Sequence, residues 1–250
     1  MFLLFVLVLL TLINLATSVV DHFNRSLLSS SWSIYASASG SEKWSARYNH
    51  SSVVLNDMIY VLGGFDHTIS LNDVWSTPDG ATWTVVSSSA DWIARKSFVS
   101  VVFNSKIYVM GGIDASSSYL NDVWSSPDGS TWTLVTGSAV WTGRYSHSSV
   151  VYDNEIFVMG GVSINYLSDV WYSADGGGSW NDMPSTNSWS ARSAMSCVVY
   201  DTKMFVMGGQ NTASYYDEVW STTSLPTAQP TPQPTCVPTC VPTWQPSEGP

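Results

Sequence analysis

The chain has 250 residues, only 11% of them charged, with a net charge of −10 and thirteen tryptophans. The length suits one large β domain or two small ones, and the negative charge arises because Lys and Arg number only nine. So few basic groups exclude a phosphate-binding surface and hence nucleic acid, while abundant tryptophan and tyrosine point to sheets packed through large rings.

At the start, Phe2 to Val20 carries no charge, and Ala16-Thr17-Ser18 supplies the small residues a signal peptidase reads. This predicts a signal peptide over 1–18 and a polar lead-in over 19–29. The alternative is an uncleaved anchor over 2–20, just long enough to span a bilayer. Either way the rest of the chain is expected in a secreted, extracellular setting. Two sequons fit that setting, at Asn24 and at Asn49, and Asn49 falls where a strand is expected to start.

From Trp44 onward a block recurs four times with its landmarks in phase. Trp44, Trp92, Trp141 and Trp189 lie 48, 49 and 48 residues apart, and each is followed three positions later by Arg47, Arg95, Arg144 or Arg192. A period of this size means that each unit must stack on its neighbours to bury its apolar face. Four short strands are predicted in each copy. The first runs over 51–55, 98–103, 148–152 and 196–200, and ends in a two-residue turn such as Asn56-Asp57. The second is continuously apolar, over 58–62, 107–110, 156–159 and 204–207, and is expected to stop at the glycine pairs that begin with Gly63, Gly111, Gly160 and Gly208. The third holds Val-Trp pairs ending at Trp75, Trp124, Trp171 and Trp220. The fourth carries Trp83, Trp132 or Trp180, after an Asp-Gly turn.

The order arginine, His-Ser-Ser-Val-Val, apolar strand, Gly-Gly and Asp-Val-Trp resembles the kelch repeat of galactose-oxidase-like β-propellers. The likeness covers about 44–224 and implies an all-β, kelch-type β-propeller over 30–224, one blade per repeat. His50 and His147 match the family's histidine, but Val99 and Met195 stand there in the other copies. The turn from Ser173 to Trp180 also resembles the Asp-box of sialidase-type propellers, a structural turn distant from active sites. The fourth copy lacks a fourth strand, and Trp32-Ser33-Ile34-Tyr35 has the content to supply one. Four blades closed by this N-terminal strand are therefore expected, with an open sector of a larger ring as the alternative.

Residues 225–250 are Pro- and Thr-rich and read as a flexible tail. Cys236 and Cys240 lie there and could pair with each other or with another chain. Cys197 replaces the serine found at Ser52, Ser100 and Ser149 and reads as a small core residue.

With the four strands of each copy lettered A to D in chain order, variable loops on a rigid scaffold carry function, so the face bearing the D–A and B–C connections is the candidate binding surface. Its candidate residues are Asp66, His67, Tyr119, Tyr166, Tyr215 and Tyr216, with Arg47, Arg95, Arg144 and Arg192 beside them. The arginines have two readings. They either cap carbonyls and stack on tryptophan, or they ring the channel mouth and hold an anion. No catalytic residue, metal site or cofactor is expected. The histidines show no ligand pairing, the repeated Asp73, Asp122 and Asp169 suggest loop pinning, and no phosphate-binding glycine loop opens a helix. The expectation is a non-enzymatic binding module for a protein or glycan ligand, contacting no nucleic acid and a membrane only if its N-terminal segment is uncleaved. Alternatives are a galactose-oxidase-like or glycan-processing enzyme, or a structural wall or coat component.

Overall fold

The computed structural model describes residues 44–183 and 189–222, which form strands, turns and loops with no helix among them. In the first blade β1 (Ser51–Leu55), β2 (Met58–Phe65), β3 (Ser70–Thr77) and β4 (Thr84–Ser87) pair antiparallel in chain order. The second blade starts with β5 (Arg95–Lys96) and β6 (Val99–Phe103), followed by β7 (Lys106–Met110), β8 (Ile113–Asp114), β9 (Val123–Ser126) and β10 (Thr133–Thr136). Its main sheet runs β6-β7-β9-β10, with β5 and β8 forming a small ribbon at one end. The third blade is β11 (Ser148–Tyr152), β12 (Glu155–Val162), β13 (Tyr166–Ser173) and β14 (Asn181–Asp182). The fourth has three strands, β15 (Ser196–Tyr200), β16 (Lys203–Met207) and β17 (Val219–Ser221). This is a four-bladed propeller arrangement.

Local chemistry explains each blade. The A–B hairpins turn through Asn56-Asp57, Asn104-Ser105, Asp153-Asn154 and Asp201-Thr202, all with positive φ between 46 and 59°. That pair of left-handed residues matches the twist of the flanking strands, and Asn and Asp tolerate it best. The glycine pairs behave differently from expectation. In the first and third blades the strand continues through them, with a register shift between Leu62 and Gly64 and between Met159 and Gly161. They form bulges, with the second glycine near φ 100°, where a side chain is strained. A Cβ on Gly112 would also sit 2.7 Å from the Phe98 Cβ. The fourth-strand tryptophans likewise sit just before their strands. Each indole N–H turns back to donate to Gly80, Gly129 or Gly177.

Between blades the core follows strand alternation. Leu62, Val74 and Tyr60 of the first blade meet Ile107, Val109 and Trp132 of the second in one cluster. The same positions rebuild it between the second and third blades, through Met110, Val123, Ile156 and Val158. Between the third and fourth it recurs through Met159, Val170, Met204 and Val206. Edge-on tryptophan pairs, Trp44–Trp83, Trp92–Trp132 and Trp141–Trp180, sit at 5.7–5.8 Å. The first strands β1, β6, β11 and β15 lie side by side. A backbone relay links their starts. The N–H of Ser97 donates to Asn49, that of Ser146 to Ser97, and that of Ala194 to Ser146, at 2.8–2.9 Å.

Several expectations lie outside the described residues. They are the signal peptide and lead-in, Asn24, the closing strand Trp32–Tyr35, and the tail with Cys236 and Cys240.

Candidate functional site

Each phased arginine is held inside its own blade. Arg95 donates through Nε to the Ile93 carbonyl, through Nη1 to the Gly111 carbonyl at 2.8 Å, and through both Nη atoms to the Asp122 carboxylate at 2.7 Å. Asp122 accepts a further bond from the Trp124 indole. The guanidinium carbon stands 5.7 Å from the centre of the Trp92 ring. Arg47 with Asp73, and Arg144 with Asp169, repeat this arrangement. Arg192 reaches Glu218 through a single oxygen at 2.6 Å.

All four guanidinium side chains are at most 1% exposed. Of the two readings of the arginines, this burial and pairing favour carbonyl capping and tryptophan stacking over an anion ring. Most of their donors are taken by carbonyls and a carboxylate of the same blade, and the groups are shut from solvent, which leaves little for an outside anion. The recurring acids are the counterparts of the arginines, and the signal for this was their shared phase, 25–27 residues after each arginine. A bidentate, largely buried pair that also clasps the glycine bulge locks the second and third strands to the start of the first.

Loops at this end of the blades carry the exposed chemistry. Tyr119 stacks on Tyr145, with ring centres 5.4 Å apart and planes 30° from parallel. Tyr145 bridges to Val162, which pairs with Tyr166, so three tyrosines from two blades gather together. Burial, with Tyr119 and Tyr166 nearby, raises the Tyr145 phenol above its ordinary pKa. Tyr145 was not singled out from sequence. Its place directly after Arg144, matching Tyr48, was the available signal. On the first blade Tyr48 packs edge-on against Phe65 at 5.5 Å, and the Lys96 ammonium lies 4.2 Å from the Phe65 ring centre. This places a cation over an aromatic face between the first and second blades.

The remaining candidates divide. Asp66 accepts from the Thr68 and Ile69 backbone N–H groups, which hold its carboxyl below the usual range, so its work is to fold the loop. His67 beside it is exposed with φ 83°. Tyr215 projects into solvent. Tyr216 lies under the Arg192 guanidinium, 3.8 Å from its ring centre, and contacts Asn211 through its hydroxyl. Asn49 precedes β1 and is exposed, with φ 54°.

At the opposite end the C–D turns are pinned by Asp79, Asp128 and Asp175. Each accepts backbone N–H bonds from its own turn, and a Ser or Thr hydroxyl donates to it. Asp175 is held at about 2, hydrogen bonds from Ser179 and Ser173 outweighing the opposing effect of burial. Cys197 is partly buried against the core between the third and fourth blades, and burial pushes its thiol up to about 11, leaving it protonated at neutral pH. His147 is buried against Trp141; the second blade places Phe98 there, packed on Trp92, in place of the expected Val99, and the fourth places Met195. Burial, then the neighbouring Arg144 charge, lowers the His147 pKa to about 3. Among the described residues no group of three His, Cys, Asp or Glu is placed to hold a metal ion, and no helix is long and apolar enough to cross a membrane.

Residues 21–161 match the family described as the KLHDC2/KLHL20/DRC7 Kelch-repeats domain, and residues 101–224 match the DUF6242 beta propeller domain. The first match spans more than half of the chain, which therefore belongs to the kelch-repeat family. No curated protein matches it. Kelch propellers are commonly protein-interaction modules and usually non-enzymatic.

Proposed function

We propose that this protein is a non-enzymatic, extracellular binding module whose D–A and B–C loop face takes a protein ligand. The observation that carries this reading is the Tyr119, Tyr145 and Tyr166 group, assembled from two blades on loops that differ from copy to copy. Tyrosine offers a large, rigid contact surface with a polar tip at low entropic cost, which is why such clusters anchor interfaces. The half-exposed Tyr119 ring also suits stacking on a sugar, which supports a glycan as the second reading. Export follows from the apolar segment Phe2 to Val20 and from the sequons at Asn24 and Asn49. The propeller is assigned to 30–224, with the Pro- and Thr-rich 225–250 as its tether.

The test uses the full chain made in a secreting eukaryotic cell. It is probed with a displayed random-peptide library and, separately, a glycan array. Ligands selected on the parent should lose at least about tenfold in affinity against Tyr119→Ala, the loss of one anchor residue at an interface centre. Ligands that bind the variant equally, or that compete only with changes at the Asp79, Asp128 and Asp175 turns, would refute the assignment of the face. Retention of the product inside the cell would refute export without touching the binding claim.

A further inference from the structure

Strand pairing lines up residues of the loop face in rows that run across the B–C connections. The residue after each arginine lies opposite the residue after the glycine pair, as in Tyr48 with Phe65, Lys96 with Ile113 and Tyr145 with Val162. In the second and third blades the row gains a third member where the loop returns, Tyr119 opposite Ile113 and Tyr166 opposite Val162. Residues directly opposite in an antiparallel ladder share one face. In the second blade the preceding pair, Arg95 with Asp114, is buried, so alternation turns Lys96 and Ile113 the other way.

The rows also touch one another. The Lys96 ammonium over the Phe65 ring joins the first row to the second, and Tyr119 stacked on Tyr145 joins the second to the third. Together they make one band from Tyr48 to Tyr166, every member of it exposed or half-buried. Lys96 is the band's one charge, and among the described residues it makes no ion pair. The four described arginines are shut away on carboxylates, and Lys106 and Lys203 follow A–B turns at the opposite end. The acids that follow Phe65 and Ile113 in sequence are engaged elsewhere. Asp66 and Asp114 each accept backbone N–H groups from their own loops.

We propose that Lys96 is the point at which this face recognises an acidic side chain, an Asp or Glu of a protein partner, with the residues beside that acid packed on the band. This pairing rests on the loop face being the binding surface, and it names the chemistry the ligand must carry. A half-buried cation over an aromatic ring interacts more strongly with an opposing charge than one in open water. The occupant is a protein segment because Ile113 and Val162 stand between the rings and, Lys96 apart, the polar side-chain atoms of the band are phenol hydroxyls. Apolar side chains match that surface, whereas many hydroxyls of an acidic glycan would lie against it unpaired.

The experiment selects peptides on the full chain from two displayed libraries, one random and one in which Asn and Gln stand wherever Asp and Glu would. The random library should yield binders that each carry an acid, and the amide library none of comparable affinity. Lys96→Met keeps an unbranched stem over Phe65 and removes the charge, so a selected peptide should lose about tenfold in affinity. Lys96→Arg, which keeps a charge that stacks on aromatic faces, should retain it. Exchanging the peptide's acid for its amide should weaken binding to the parent as much, and to Lys96→Met no further. Thermal melts verify the fold of each variant. Peptides that Tyr119→Ala weakens but Lys96→Met leaves unchanged overturn the anion contact while the face stands. Peptides indifferent to Tyr119→Ala refute the face itself, and the contact with it. Acidic glycans that bind through Lys96 when no peptide does overturn the protein occupant.

Discussion

Replacing Arg95 by lysine tests whether the buried arginines hold the blades together. Lysine keeps the charge and reaches part of the way, but its ammonium cannot span the Ile93 carbonyl, the Gly111 carbonyl and both oxygens of Asp122. At least two of these buried acceptors lose their donor, at roughly 1–2 kcal/mol each, so the loss should be about 2–4 kcal/mol. For a domain of this size that lowers the melting temperature by roughly 5–15 °C. Arg192→Lys provides the internal comparison. Its partner Glu218 is half-exposed and engaged through one oxygen, so water replaces part of what is lost and the drop should be visibly smaller. Differential scanning calorimetry on both variants, beside the parent, measures the two drops. If Arg95→Lys melts within about 1 °C of the parent, the guanidinium network contributes less than one buried hydrogen bond, and its structural role fails.

Three further outcomes are expected. Gly112→Ala should lower the urea midpoint by an amount worth about 2 kcal/mol or more, since its φ of 100° and the Phe98 Cβ at 2.7 Å both oppose a side chain; an unchanged midpoint would refute the bulge argument. His147 has a folded pKa of about 3, below its ordinary 6.5, so its neutral form stabilises the fold above 6.5 and that contribution fades as pH falls towards 3. His147→Phe, the residue of the second blade, should flatten the loss of stability between those pH values in urea titrations, and an equally steep loss would refute it. Cys197 should resist alkylation by iodoacetamide at neutral pH in the folded chain and react after unfolding, read by peptide mass spectrometry; rapid labelling without unfolding would contradict its partly buried, protonated state.

What the sequence by itself determined is the repeat and its consequences. The phased Trp, Arg, Gly-Gly and Val-Trp landmarks define the blades, and Asn-Asp pairs define the hairpins, because turn geometry and side-chain period are local properties. The same locality explains the errors. Whether a glycine pair ends a strand or bulges within it depends on the neighbour strand, and the continuous pairing through Gly63-Gly64 appears only once β3 is in place. In the sequence the arginines read first as scaffold, with an anion ring as the second reading. Only the fold brings Asp122 to within 2.7 Å of Arg95 across 27 residues and shuts the guanidinium from water. The tyrosine group was half legible, since Tyr119 and Tyr166 stood out on loops while Tyr145 joins them through packing between blades. The exposed Val219 could not be distinguished in sequence from the buried Val74, for both sit in the same Val-Trp pair. What separates them is whether another blade packs on that side, a property of the array rather than of any segment.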